Sequence, residues 1–166
     1  MTDFHKLFPK SGVGKQHQYL IDRLNPKHTI LDYGCGKGGT IKWLLDQGFK
    51  DVVGYEPYVE EFSAVTRLDK RYDTIYTQDV LEHIHIDDIP WQLFRVLAQE
   101  SVHIIDLTPA KKTLANGDNA HITLLPPDVW INMFATHVGK PIHHMLDIQP
   151  DPNFTTRTRL CLHIKH

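Results

Sequence analysis

The sequence predicts an open α/β fold with a mostly parallel sheet and an antiparallel pair of strands at its end. Three observations carry this. Short apolar runs alternate with amphipathic runs along most of the chain, as when parallel strands are joined by helical crossovers. A glycine-rich turn, Gly34-Cys35-Gly36-Lys37-Gly38-Gly39, links the first strand-like run to the helical run after it. Near the C-terminus, polar and apolar residues alternate on both sides of a turn, which is the pattern of a hairpin with one face buried.

The elements follow in order. Residues 1–11 read as a lead-in. Helical spacing of Val13, His17, Leu20, Ile21 and Leu24 predicts a helix over 12–24, ended by Asn25-Pro26. The first strand is expected over 28–33 and the helix after the glycine turn over 40–47, with Gly48 as its C-terminal stop. A second strand spans 51–55 and another spans 73–77. Asp87 or Asp88 is expected to cap a helix with Pro90 in its first turn, and Ile89, Leu93, Val96 and Leu97 to form its buried face. A strand follows over 102–107, ended by Thr108-Pro109, then a polar loop through Asn116-Gly117-Asp118-Asn119. Pro126-Pro127-Asp128 opens a helix bearing Val129, Trp130, Met133 and Phe134, closed by Gly139. Strands over 141–148 and 156–164 complete the chain around a turn at Asp151-Pro152-Asn153. In the last strand Leu160, Leu162 and Ile164 alternate with Cys161 and His163, so one face is expected to be buried.

Length and composition bound the function. The chain has 166 residues, enough for one domain with a real core, and no repeat or linker marks a second. Net charge is −2 and the Lys and Arg residues are scattered, so no basic footprint for nucleic acid is expected. Cys35 and Cys161 are the only cysteines and are poorly placed for a disulfide framework, which argues for a reducing compartment. There is no signal-peptide pattern and no apolar run long enough to cross a bilayer. A cytoplasmic protein is expected, acting on a small molecule, with no membrane partner.

In open α/β sheets ligands bind beyond the carboxyl ends of the strands. The glycine turn, Glu56, Gln78-Asp79 and Thr108 all fall at such ends and should line one crevice. Gly34-x-Gly36-x-x-Gly39 satisfies the dinucleotide fingerprint, but two neighbours favour another ligand. Asp32 ends the first strand, where a carboxylate would repel a pyrophosphate. It suits S-adenosylmethionine, which has no phosphate and carries an ammonium and a sulfonium. Glu56 ends the next strand about twenty residues on, where an acid accepts hydrogen bonds from ribose hydroxyls.

With these residues the sequence resembles the Rossmann-like, or class I, S-adenosylmethionine-dependent methyltransferases of the small-molecule branch. Thr29 to Gly38 is similar to that superfamily's first motif, Val53-Gly54-Tyr55-Glu56 to its ribose-binding motif, and Tyr72 to Ile84 to its strand-four motif. The resemblance covers roughly residues 12 to 107 and implies a doubly wound sheet and S-adenosylmethionine as cofactor. It implies that the Gly34 and Gly36 backbone faces the methionine part, that Asp32 meets the ammonium, and that Glu56 holds the ribose. Pro57 and Tyr58 then pack on the adenine, and Gln78, Asp79 and Val80 border the methionine. The sequence departs from the pattern between Glu56 and Tyr72, a stretch too short for the usual helix and third strand. Either a short strand near Ser63-Ala64-Val65-Thr66 survives or the strand is lost, so the sheet is reduced there and has six or seven strands.

Methyl transfer requires alignment of a nucleophile and removal of its proton. His121, beside Asn119 on the polar loop, is the first candidate base, with Asn119 fixing an acceptor hydroxyl or carbonyl; an ordinary turn residue is the bland alternative. His83 is a second candidate, set against a packing role. His83-x-His85-x-Asp87-Asp88 touches a binuclear zinc pattern, but the methyltransferase motifs explain the stretch better and no metal is expected. The remaining histidines, including His143, His144 and His163, are expected at the surface or on an edge strand. Cys35 reads as a filler, and Trp91 and Trp130 as core. The place after strand four holds Gln78-Asp79-Val80-Leu81, which argues against the Asn/Asp-Pro-Pro-aromatic motif of adenine-N6 DNA methylation. The expected activity is methyl transfer to O or N of a small polar acceptor. A catalytically silent cofactor-binding subunit and an NAD-dependent oxidoreductase are the competing readings.

Overall fold

Unbroken buried runs, such as Ser101–Asp106 and Arg159–Ile164, mark a sheet covered on both faces. The computed structural model describes residues 17–151 and 154–166. It consists of helix α1 (His17–Arg23), strand β1 (Thr29–Tyr33), helix α2 (Gly39–Asp46), β2 (Asp51–Tyr55), β3 (Tyr72–Gln78), helix α3 (Trp91–Leu97), β4 (Ala98–Asp106), helix α4 (Pro127–His137), β5 (Lys140–Asp151) and β6 (Phe154–Lys165). The six strands form one sheet in the order β2-β1-β3-β4-β6-β5. The first four run parallel, and β6 pairs antiparallel with both β4 and β5.

Neighbouring residues on a strand point to opposite faces, and here both faces are covered. Leu31, Ile75, Ile105 and Leu160 join Phe94 and Leu97 of α3 and Trp130 and Phe134 of α4 in one core. Ile30, Tyr76, Ile104 and Cys161 join Tyr19, Leu20 and Leu24, on and after α1, and Leu44 of α2 in the other. This is the doubly wound arrangement, with the antiparallel hairpin added at one edge.

Several expectations are corrected in detail. Of the helix expected over 12–24, residues 12–16 lie outside those described, and within the described residues α1 covers His17–Arg23. No strand forms near Ser63: the β2–β3 connection is two short 3-10 turns, Glu60–Phe62 and Val65–Asp69. Arg67 fixes it, donating to the Gly54 carbonyl at 2.7 Å and the Glu61 carbonyl at 2.9 Å. Asp87 and Asp88 lie in a separate turn, Ile86–Asp88, and Pro90 occupies the N-cap of α3. In that seven-residue helix Phe94 and Leu97 face the core, whereas Val96 points outward and is 59% exposed. From Arg159 to Ile164 both faces of β6 are buried, Cys161 and His163 included, because it is an inner strand covered by α1 on the side expected to be open. His163 is therefore not a surface residue; its Nε2 lies 3.2 Å from Glu100 Oε2.

Candidate active site

The carboxyl ends of β1 to β4 share one edge of the sheet and bring the predicted residues to it. The turn after β1 is held against β2 by two hydrogen bonds, from the N–H groups of Gly34 (2.8 Å) and Cys35 (3.2 Å) to the Tyr55 carbonyl. Gly34 has φ +82°, and a Cβ there would stand 2.5 Å from Val80 Cγ2. Gly36 has φ +54°, but a Cβ on it would meet nothing within 4 Å among the described residues. The first glycine is thus required by close packing beneath the turn, and the second presents bare backbone to open space. Cys35 is buried and fills the gap left by Gly54, where a Cβ would lie 2.6 Å from its Sγ. Burial, with the nearby Asp32 and Glu56 carboxylates, pushes its thiol pKa far up, so it is an inert filler.

Two acids flank that backbone. Asp32 is 3% exposed, and its Oδ2 accepts a hydrogen bond from the Tyr76 hydroxyl at 2.6 Å. Burial raises its pKa to about 7; the Tyr76 hydrogen bond opposes the rise and the Glu56 charge adds to it. Glu56 is also buried, and its carboxylate accepts the N–H groups of Gly36 and Tyr58, each at 3.3 Å. Pro57 is exposed and Tyr58 is 57% exposed, so both stand on the rim. At the end of β3 the buried Oε1 of Gln78 has no hydrogen-bond partner among the described residues. Val80 packs under Gly34. Asp79 adopts a left-handed backbone, φ 52°, and its carboxylate grips Arg159 of β6 at 2.9 and 3.2 Å. It reaches the site as half of an ion pair rather than as a lone carboxylate.

The second half of the site lies between the turn after β3 and the long β4–α4 connection. Asp106 pairs with Arg157 and accepts the Thr108 N–H at 2.9 Å. Glu82 is fully buried, and one carboxylate oxygen accepts the Asp106 N–H at 3.2 Å. Burial and the neighbouring Asp79 raise the Glu82 pKa strongly. His83 and His121 stand edge to face with ring centroids 4.6 Å apart. The His83 Nδ1 lies 2.9 Å from the Ala120 carbonyl and the His121 Nδ1 2.5 Å from the Thr108 carbonyl. Burial lowers both pKa values, that of His83 to about 4, so both rings are neutral near pH 7.

Sequence reasoning brings His121, His83, Asp32, Gly34, Gly36, Glu56, Gln78 and Val80 to this edge. Asn119 also arrives, but in another role. Its carboxamide accepts the N–H groups of Ala110 and His121 and donates to the Ala110 carbonyl, at 2.9, 2.9 and 3.0 Å. The side chain expected to hold an acceptor also clamps the loop that presents His121. His85 stays outside, exposed beside Asp87, so the zinc-like run does not converge. Reasoning from sequence missed Glu82, Tyr76, Asp106, Arg157 and Arg159. Glu82 sits within the quoted motif; the arginines reach the site from another strand, and no spacing signals that.

Comparison with known proteins adds three structures and a family. A family model described as "Methyltransferase domain" matches residues 5–146. No curated protein sequence matches the chain. An S-adenosylmethionine-dependent methyltransferase from Archaeoglobus fulgidus superposes with a TM-score of 0.65 at 15% identity, covering 98% of each chain. The geranyl diphosphate C-methyltransferase of Streptomyces coelicolor gives 0.63 at 13% identity, over 90% of this chain and 78% of that one. The 1,6-didemethyltoxoflavin-N1-methyltransferase of Burkholderia thailandensis gives 0.60 at 13%, over 90% and 75%. At such identities the likeness is one of fold.

Proposed function

The chain belongs to the methyltransferase-domain family, and from that premise we propose that it moves a methyl group to oxygen or nitrogen of a small polar acceptor. The methyl donor is S-adenosylmethionine. The observation that carries the reading is the pair of buried acids, Asp32 and Glu56, on either side of the open backbone at Gly36. Carboxylates there suit a cationic, phosphate-free nucleoside and oppose a diphosphate.

The residues fit this donor. Asp32 and Gln78 Oε1, which has no partner among the described residues, are acceptors for its ammonium, and the left-handed turn at Gly36 leaves room for its methionine part. Glu56 takes the ribose hydroxyls, with Pro57 and Tyr58 at the rim for the adenine. When bound, S-adenosylmethionine would supply a methyl carbon activated by its sulfonium, with sulfur as the leaving group. On the acceptor side, His121 is the proton-accepting group. Its Nδ1–H is fixed on the Thr108 carbonyl, which leaves Nε2 with the lone pair. His83 shapes the same corner, Asn119 positions His121 through the loop, and the Asp79–Arg159 pair braces the floor. Neighbours of this fold include N- and C-methyltransferases, and both use small molecules.

Calorimetric titration tests the proposal. S-adenosylmethionine and S-adenosylhomocysteine should bind, and NAD should not. NAD binding, with no heat from either adenosyl compound at millimolar concentration, would overturn it.

A further inference from the structure

The turn that carries His83 and the loop that carries His121 meet over a carboxylate with half of its hydrogen bonding unmet. Glu82 is fully buried, and its Oε2 has no partner among the described residues. An acceptor buried in that state is costly unless something electropositive meets it. Both imidazoles are pinned through Nδ1, to the Ala120 and Thr108 carbonyls. A carbonyl oxygen only accepts, so each Nδ1 bears the hydrogen and each Nε2 the lone pair. Backbone carbonyls orient metal-bound histidines in this same way. One donor atom from each of Glu82, His83 and His121 lies within 4.8 Å of the other two. Three ligating side chains thus gather in one corner, and one of them keeps an orphan oxygen.

We propose that Glu82 Oε2 and the Nε2 atoms of His83 and His121 form a site for a divalent transition ion of the zinc class. Two imidazoles and one carboxylate select zinc or cobalt over magnesium or calcium, which prefer oxygen. They also leave a coordination position open. The other carboxylates nearby are occupied, Asp79 by Arg159 and Asp106 by Arg157. The site adjoins Gln78, Asp79 and Val80, so its role rests on the methyl-transfer reading. An acceptor hydroxyl or amine in the open position loses its proton to solvent more readily because the ion withdraws charge from it. With the ion bound, His121 serves as a ligand and the acceptor's proton leaves to solvent; without it, His121 is the base proposed above.

The test is made on the untagged full chain after chelation, with no adenosyl compound present. Titration with Co²⁺ should give a visible absorption band that saturates at one ion per chain and is displaced by Zn²⁺. Glu82→Gln and His83→Ala should each weaken binding at least about 100-fold. His85→Ala removes the exposed neighbour and should change nothing. If circular dichroism shows that Glu82→Gln does not fold, His83→Ala decides alone. Absence of the band, or an undiminished band in folded His83→Ala, overturns the site. Calorimetry with S-adenosylhomocysteine on the same samples separates the two readings: heat without a Co²⁺ band removes only the metal, and a band without heat removes only the donor.

Discussion

With the donor's ammonium proposed to lie at Asp32, the ionisation of that residue becomes part of binding. Burial holds its pKa at about 7 in the free chain, against 3.8 for an ordinary aspartate. In the free chain this shift costs stability as pH rises from 3.8 toward 7, because the unfolded carboxyl ionises first. A cation beside it favours the carboxylate, so binding expels a proton wherever Asp32 starts protonated. Affinity for S-adenosylmethionine should rise with pH up to about 7 and then level, with proton release seen by calorimetry in buffers of different ionisation enthalpy. Asp32→Asn should abolish the release and, like Glu56→Gln, weaken binding by about 1–3 kcal/mol. His121 has its pKa lowered by burial, so its unprotonated form persists below the usual histidine range. The acid limb of turnover should fall below pH 6.5, and His121→Ala should cut turnover about 10²–10⁴-fold while sparing donor affinity.

The glycine turn shows how one element serves two purposes. Gly34→Ala sets a methyl group against Val80 in a left-handed backbone and should destabilise the fold by about 2 kcal/mol or more. Gly36→Ala meets no neighbour, so it should cost only about 1–2 kcal/mol of stability yet abolish donor binding, since its methyl enters the open space. Denaturant melts and calorimetry on the pair separate these effects. Helix α3 gives a second contrast: Phe94→Ala should cost about 3–5 kcal/mol and Val96→Ala almost nothing. The sequence pattern around α3 named Val96 and omitted Phe94, because the aspartates looked like a cap and shifted the helical phase. Strand ends, by contrast, were legible to within a few residues wherever a glycine or proline stops the strand. The loss of a strand after Glu56 was half legible: the stretch is visibly short, but only packing shows that Arg67 and two turns replace it.

At the scale of the whole molecule, what the sequence conceals is long-range pairing. The donor half of the site is contiguous in motifs, so Asp32, Gly36, Glu56 and Gln78 could be read in line. The acceptor half is assembled across the sheet. Asp79 finds Arg159 eighty residues away, on a strand that enters the sheet between β4 and β5. Nothing in spacing predicts that the terminal hairpin turns its second strand inward, buries Arg159 to Ile164 and sends two arginines to the edge proposed for catalysis. The loop bearing His121 reads as polar and exposed, yet Asn119 folds it down so that the histidine is buried. The account as a whole depends on where the adenosyl compound lies. The most direct measurement is a crystal structure of the complex with S-adenosylhomocysteine. The account predicts its amino group at Asp32 and Gln78, its ribose on Glu56, and its sulfur facing the corner of His83 and His121. A ligand seated elsewhere, or with its ribose away from Glu56 and its amino group away from Asp32, would contradict it.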